Sequence, residues 1–258
     1  MRIDRQVRSA GADDETGATL KSDDSNRRRS RRQSKAMKLY REYRRPGDLP
    51  SALPIFPLSG ALLLPRRPIQ LTVFEPRYLD MLDDALSGER LIGMIQPLSE
   101  DEEEGAPPEL FTVGCAGRIV QYAEIGDERC LLTLIGVARF RVERELPTTT
   151  RYRIVAPDYS DFADDFKDGF GETAVDRQAV VDALRAFAEV NRVAVDWDDI
   201  EKASNEMLVN ALSMMSPYGA REKQALLEAH DLKSRAEILV AISQVELARS
   251  PDATVHLH

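Results

Sequence analysis

The sequence predicts an α+β protein in which a β-rich N-terminal subdomain holding one inserted helix precedes a helical C-terminal subdomain. Three observations predict this order. Two long β-patterned runs, residues 111–122 and 129–142, flank a turn at Gly126-Asp127. Residues 71–82, LTVFEPRYLDML, read as the end of a buried strand running straight into a helix that Pro76 opens. After Gly169 and Gly171 the apolar period changes from two to about 3.6.

The chain of 258 residues is long enough to bury a sizeable core, as one large domain or two small ones. With 43% hydrophobic and 31% charged residues it has a globular composition, and no stretch approaches the roughly 20 apolar residues of a membrane span. Without an apolar leader segment, a cytoplasmic location is expected. The net charge of −9 hides a split: residues 1–45 carry +7 and the remainder −16. An acidic body disfavours a broad phosphate-binding surface, so any nucleic-acid contact is expected through the tail alone.

Residues 1–48 form a basic tail with almost no apolar periodicity and are expected to be disordered; Met37 offers an alternative start. The arginine cluster at residues 27–32 could bind nucleic acid or anionic lipid, but basic runs of this kind are more often simply solvated. Residues 49–170 are assigned to the β-rich subdomain. Within them, residues 53–64 give brief strands broken by Pro54, Pro57 and Gly60, residues 69–74 a strand, residues 76–86 the inserted helix stopped by Gly88, and residues 91–95 a short strand. The acidic run at residues 99–109 reads as a solvent loop.

A hairpin turning at Gly126-Asp127 pairs residues whose numbers sum to 253: Phe111 with Val142, Val113 with Phe140, Cys115 with Ala138, Gly117 with Gly136, Ile119 with Leu134. One face is then apolar throughout. Gly117 opposite Gly136 marks a bend where the sheet coils towards a barrel. Arg118, Arg139 and Arg141 fall on the other face, with ordinary ion pairs to neighbours such as Glu143 expected. Cys115 and Cys130 read as core residues, too far apart along the ladder for a disulfide.

Residues 151–155 suggest one more strand, followed by an acidic stretch at 158–168. The helical subdomain, residues 171–249, holds a helix with Val180, Val181, Leu184 and Phe187 on one face, and a second from about Asp198 carrying Ile200, Ala203, Met207, Leu208, Leu212 and Met215. A third spans about 220–228. A fourth, capped by Asp231, runs to about Arg249 with Leu232, Leu239, Ile242 and Val245 inward. Residues 250–258 are expected to be flexible.

No catalytic constellation appears. The phosphate-cradling G-x-x-x-x-G-K-[ST], the zinc spacings H-E-x-x-H and C-x-x-C, and the serine elbow G-x-S-x-G are all missing. Lys202 and Ser204, two apart on a helix, point to different sides. His230 sits in a predicted turn, and His256 and His258 lie near the C-terminus. No metal or cofactor is expected. Glu75 and Arg77 are read mainly as a helix-capping or ion-pairing couple, with Arg118 among the possible partners, and Phe74 and Tyr78 as core. Gly114, Gly117 and Gly136 serve backbone geometry, while Met214, Met215 and Tyr218 sit at an inter-helix corner and read as bundle core.

FPLSGALLLP, FEPRYLDML, VGCAGRIVQ, LTLIGVARFRV, LVNALSMMSPYG and EKQALLE, in that order, resemble the stand-alone LON substrate-binding-domain proteins, which are similar to the N-terminal domain of Lon protease. The resemblance covers about residues 49–249. It implies a coiled β-sheet pseudobarrel of the PUA-like type followed by a helical bundle. Phe74, Glu75, Pro76, Arg77, Tyr78, Gly114, Gly117, Arg118, Gly136, Arg139 and Phe140 are its family-motif positions, read as structural. The function it implies is non-enzymatic binding of unfolded or degron-bearing client proteins, as an adaptor in protein quality control with Lon protease a candidate partner. RNA binding by a PUA-like barrel is the alternative. Which residues would touch a client peptide is not legible.

Overall fold

The computed structural model describes residues 43–99 and 107–249. The predicted tail through residue 42, with its arginine cluster and Met37, most of the acidic loop (residues 100–106) and residues 250–258 lie outside the described residues.

The strands are β1 (Leu53–Pro57), β2 (Pro68–Val73), β3 (Leu91–Pro97), β4 (Leu110–Glu124), β5 (Cys130–Leu146) and β6 (Ile154–Asp158), with helix α1 (Pro76–Ser87) between β2 and β3. Their order is β2-β5-β4-β3-β1-β6, and β6 also pairs with β5. Strands β5, β4, β3, β1 and β6 therefore close into a ring, the pseudobarrel. Closure depends on the length of β5, whose first half pairs with β2 and whose last residues pair with β6, Arg141 opposite Asp158. Strands β1 and β3 run parallel, joined by the crossover that contains β2 and α1.

The hairpin register predicted from the turn holds only at its centre, at Gly117↔Gly136, Arg118↔Ile135 and Ile119↔Leu134. Bulges on both sides shift it by one, so Cys115 faces Arg139, Gly114 faces Phe140, and Val113 faces Arg141. The expected partners Phe140 for Val113 and Ala138 for Cys115 are thereby corrected. Because each extra residue turns side chains to the opposite face, the single apolar face becomes two. Ala116, Ala138 and Phe140 join Leu53, Ile55, Leu91, Ile95, Val155 and Tyr159 in one core drawn from all five ring strands. Val113, Cys115, Ile119, Leu132 and Leu134 belong to a larger core shared with α1 and the C-terminal helices. Cys115 and Cys130 are buried free thiols.

Two glycines are required by close approach. A Cβ on Gly136 would lie 2.1 Å from the Leu64 carbonyl oxygen, where the segment after β1 bridges to β5 through Pro65. One on Gly114 would lie 2.6 Å from both the Met94 carbonyl oxygen and Cζ of Phe140. Here the ring is narrow enough that the phenylalanine fills the space a side chain would need.

The C-terminal helices are α2 (Arg177–Asn191), α3 (Trp197–Lys202), α4 (Asn205–Met215), α5 (Ala220–Glu228) and α6 (Leu232–Arg249). Val180, Leu184, Leu208, Leu226, Leu232 and Leu239 carry them onto the larger core. The single helix expected from Asp198 is two, because the backbone at Ala203 and Ser204 is extended and the Ser204 hydroxyl accepts the Met207 N–H to cap a new helix. Met207 is exposed rather than inward, as is Val245 on α6, and Met215 is 81% exposed at the end of α4. Asp231 caps α6 as expected, accepting the Ser234 N–H at 2.7 Å.

Two further expectations change. Strand β2 is an edge of the sheet with only Val73 fully buried, and Phe74 beyond it is 60% exposed, since β2 pairs with β5 alone. The last strand lies three residues later than expected, with Arg151 and Tyr152 in the bend that precedes it. No helix among the described residues is long and apolar enough to cross a membrane.

Candidate functional site

The joint between β2 and α1 forms the wall of the largest cavity described, of about 470 Å³. Pro76 occupies the first helical position, where its missing N–H costs nothing, and the Glu75 carbonyl accepts from the N–H groups of Tyr78 and Leu79. The Glu75 side chain does not cap. It pairs with Arg77, Nη2 to Oε2 at 2.7 Å, and the guanidinium of Arg77 lies over the Tyr78 ring, 4.9 Å from its centroid. Tyr78 is buried against Phe56, with ring centroids 4.5 Å apart. A pair two residues apart is thus held flat on an aromatic floor at the cavity edge.

Pro57, Pro97, Pro107 and Pro108 supply much of the remaining wall, with Tyr152 opposite the joint. The Tyr152 hydroxyl donates to Asp84 on α1 at 2.6 Å, and burial followed by that bond pushes its pKa up to about 12. Arg153 donates to the Pro108 carbonyl at 2.6 Å and pairs with Glu145, while Arg151 stands 3.7 Å from Asp80. The cavity combines apolar walls poor in N–H donors with a rim of three arginines and one glutamate.

The other family-motif residues lie elsewhere. Gly114, Gly117, Gly136 and Phe140 build the ring, and Arg118 is a half-buried ladder residue opposite Leu91 and Ile135. Arg139 is buried, and the ion pair expected of it is made with a distant carboxylate rather than with a neighbour such as Glu143. It forms a bidentate ion pair with Asp165 in the short 3-10 segment Ser160–Phe166, stacks on Phe162 and donates to the carbonyls of Leu227 and Ala229. Nearby, Arg66 pairs with Glu206, whose own N–H is accepted by Glu172 at 2.7 Å. Arg235 donates to Leu226 and Asn210, and burial, with the charge of Arg139 adding to it, brings its guanidinium down to about 9. These groups link the ring to the helices. Sequence reasoning missed Tyr152, Asp165, Glu206 and Arg235. Asp165 was hidden inside an acidic run that resembles a solvated face, and no spacing marks the others.

Among the described residues no group of three or more histidine, cysteine or carboxylate side chains is arranged to hold a metal ion. Burial pushes the Cys115 thiol far above its usual range, so it is a poor nucleophile. His230 is exposed, beside Asp231.

Ring, inserted helix and C-terminal helices together define a Lon N-terminal type of domain. The Lon N-terminal domain protein from Xanthomonas campestris covers 74% of this chain and 98% of its own, with a TM-score of 0.53 at 24% identity. The N-terminal domain of Lon protease from the Mycobacterium avium complex covers 75% and 98%, also at 0.53, with 16% identity. The family model for the ATP-dependent protease La (LON) substrate-binding domain matches residues 52–244, and the chain belongs to that family. Curated relatives include Lon protease 2 of Myxococcus xanthus, 26% identical over 204 residues, and Lon protease 2 of Sorangium cellulosum, 29% identical over 205. These matches cover 76% and 77% of the chain, which spans about a quarter of the length of each relative.

Proposed function

We propose that this chain is a non-catalytic protein-binding module that takes exposed segments of client polypeptides and acts as an adaptor in protein quality control. The observation that carries the reading is membership of the substrate-binding-domain family over residues 52–244. The cavity beside α1 supports it. Its proline and tyrosine walls fit apolar side chains of an extended segment, and its arginine rim can take carbonyl or carboxylate oxygens. Since the curated relatives are Lon proteases, association with such a protease is the narrower form of the proposal.

Fluorescence anisotropy with a dye-labelled, permanently unfolded polypeptide and the full chain tests the broader form. Saturable binding that competes with unlabelled unfolded protein, but not with its folded counterpart, is expected. Failure to bind any unfolded chain overturns it. Co-purification with a Lon protease addresses the narrower form separately.

A further inference from the structure

Strand β2 pairs with β5 without a break, from Pro68↔Ile135 to Val73↔Cys130. No strand among the described residues pairs with its other edge, so a row of main-chain N–H and C=O groups faces outward. Protein edges of this kind are normally blunted by a charged side chain, a proline, a bulge or a covering element. Strand β2 has neither charge nor bulge, and its proline stands only at its start, at Pro68. Residues 68–74 read PIQLTVF, seven uncharged positions in a chain that is 31% charged. Gln70, Thr72 and Phe74 are exposed along it, with Ile135 exposed on the neighbouring strand and Val120 on the next.

The start of the strand is also unusual. Pro68 has no N–H to offer a partner, so pairing at the outer edge is left to the residues that follow it. An uncharged strip leaves a charged side chain without a counterion, so the edge selects against acidic or basic segments and for alternating apolar and small polar residues.

We infer that the outer edge of β2 is a docking edge at which an extended, uncharged client segment adds as a further strand, pairing with the main chain after Pro68. This rests on the protein-binding reading above and names its mode: main-chain pairing at β2, distinct from the cavity beside α1.

The test uses the full chain and a dye-labelled peptide of about ten residues alternating valine and threonine, long enough to cover the edge. A second peptide carries N-methyl groups on consecutive central residues, so neither of its edges can donate. The parent peptide is expected to bind, N-methylation to weaken it at least about tenfold, and the variant Q70K/T72K to weaken it similarly while melting within about 2 °C of the wild type. If the unfolded polypeptide binds but the two peptides bind alike, or Q70K/T72K binds like the wild type, the β2 inference is overturned and the broader reading stands. If neither the unfolded polypeptide nor the peptide binds, the broader reading fails with it. A wild-type dimer in light scattering that Q70K/T72K converts to monomer assigns the edge to a second copy, which also overturns the inference.

Discussion

Arg139 on β5 and Asp165 in the 3-10 segment form a bidentate ion pair, Nη2 to Oδ1 at 2.8 Å and Nε to Oδ2 at 3.0 Å, with side chains only 4% and 8% exposed. Asp165 also accepts the backbone N–H of Arg139, and Arg139 reaches the carbonyls that end α5. One side chain therefore joins the ring, the connecting segment and the helices. Asp165→Asn leaves a buried guanidinium without its counter-charge and is expected to cost about 3–5 kcal/mol, lowering the melting temperature by roughly 10 °C. The double variant R139M/D165L, which removes both charges, is expected to lose less. Urea unfolding of the three proteins checks the order.

Gly136→Ala is expected to destabilise by at least about 3 kcal/mol, because its new methyl group meets backbone rather than a side chain that can turn away. At Gly47 a Cβ meets nothing within 4 Å, so Gly47→Ala is expected to change stability by less than about 1 kcal/mol. Comparable losses at both sites would show that Leu64 does not approach β5 as described.

Acid sensitivity is expected to centre on the helix starts. Backbone N–H donation from Ser234 holds Asp231 below the usual carboxylate range, and donation from Glu206 does the same for Glu172. A depressed folded-state pKa gives stability that is present above the unfolded value and lost as pH falls through the folded one. Stability is therefore expected to decline as pH drops below about 4. Asp231→Asn, which keeps an accepting oxygen without a titrating group, should flatten part of that decline, whereas Asp231→Ala should cost about 1 kcal/mol at neutral pH. Denaturant midpoints measured from pH 2 to 7 decide it.

Phe74 and Tyr78, four residues apart, are expected to respond in opposite ways. Tyr78→Ala removes a buried ring packed on Phe56 and should cost about 3–5 kcal/mol. Phe74→Ser alters an exposed side chain and should stay within about 0.5 kcal/mol of the wild type, yet reduce binding of unfolded polypeptide. A strongly destabilised Phe74→Ser would return that residue to the core.

Much of the fold was legible because local physics fixes local elements. Pro76 opens α1 where its missing N–H costs nothing, Gly88 follows its last residue, the hairpin turn lies where Gly126-Asp127 places it, and Asp231 starts α6. The site was less legible. Glu75 and Arg77 were singled out, but the cavity beside them needs Tyr152, Pro97 and Pro108, which are distant in sequence and carry no signature of a shared wall. Phe74 read as core because apolar alternation cannot distinguish an edge strand from a central one.

The sequence by itself determined the α+β order, the ends of the inserted helix and the approximate centre of the hairpin register. Tertiary structure decided where that register slips, which face each residue of β5 takes and which carboxylate of an acidic run is buried. The physical reason is that turns, caps and periodicity act over a few residues, whereas the bulges flanking Gly117 and the partner of Arg139 depend on closing a ring between strands tens of residues apart.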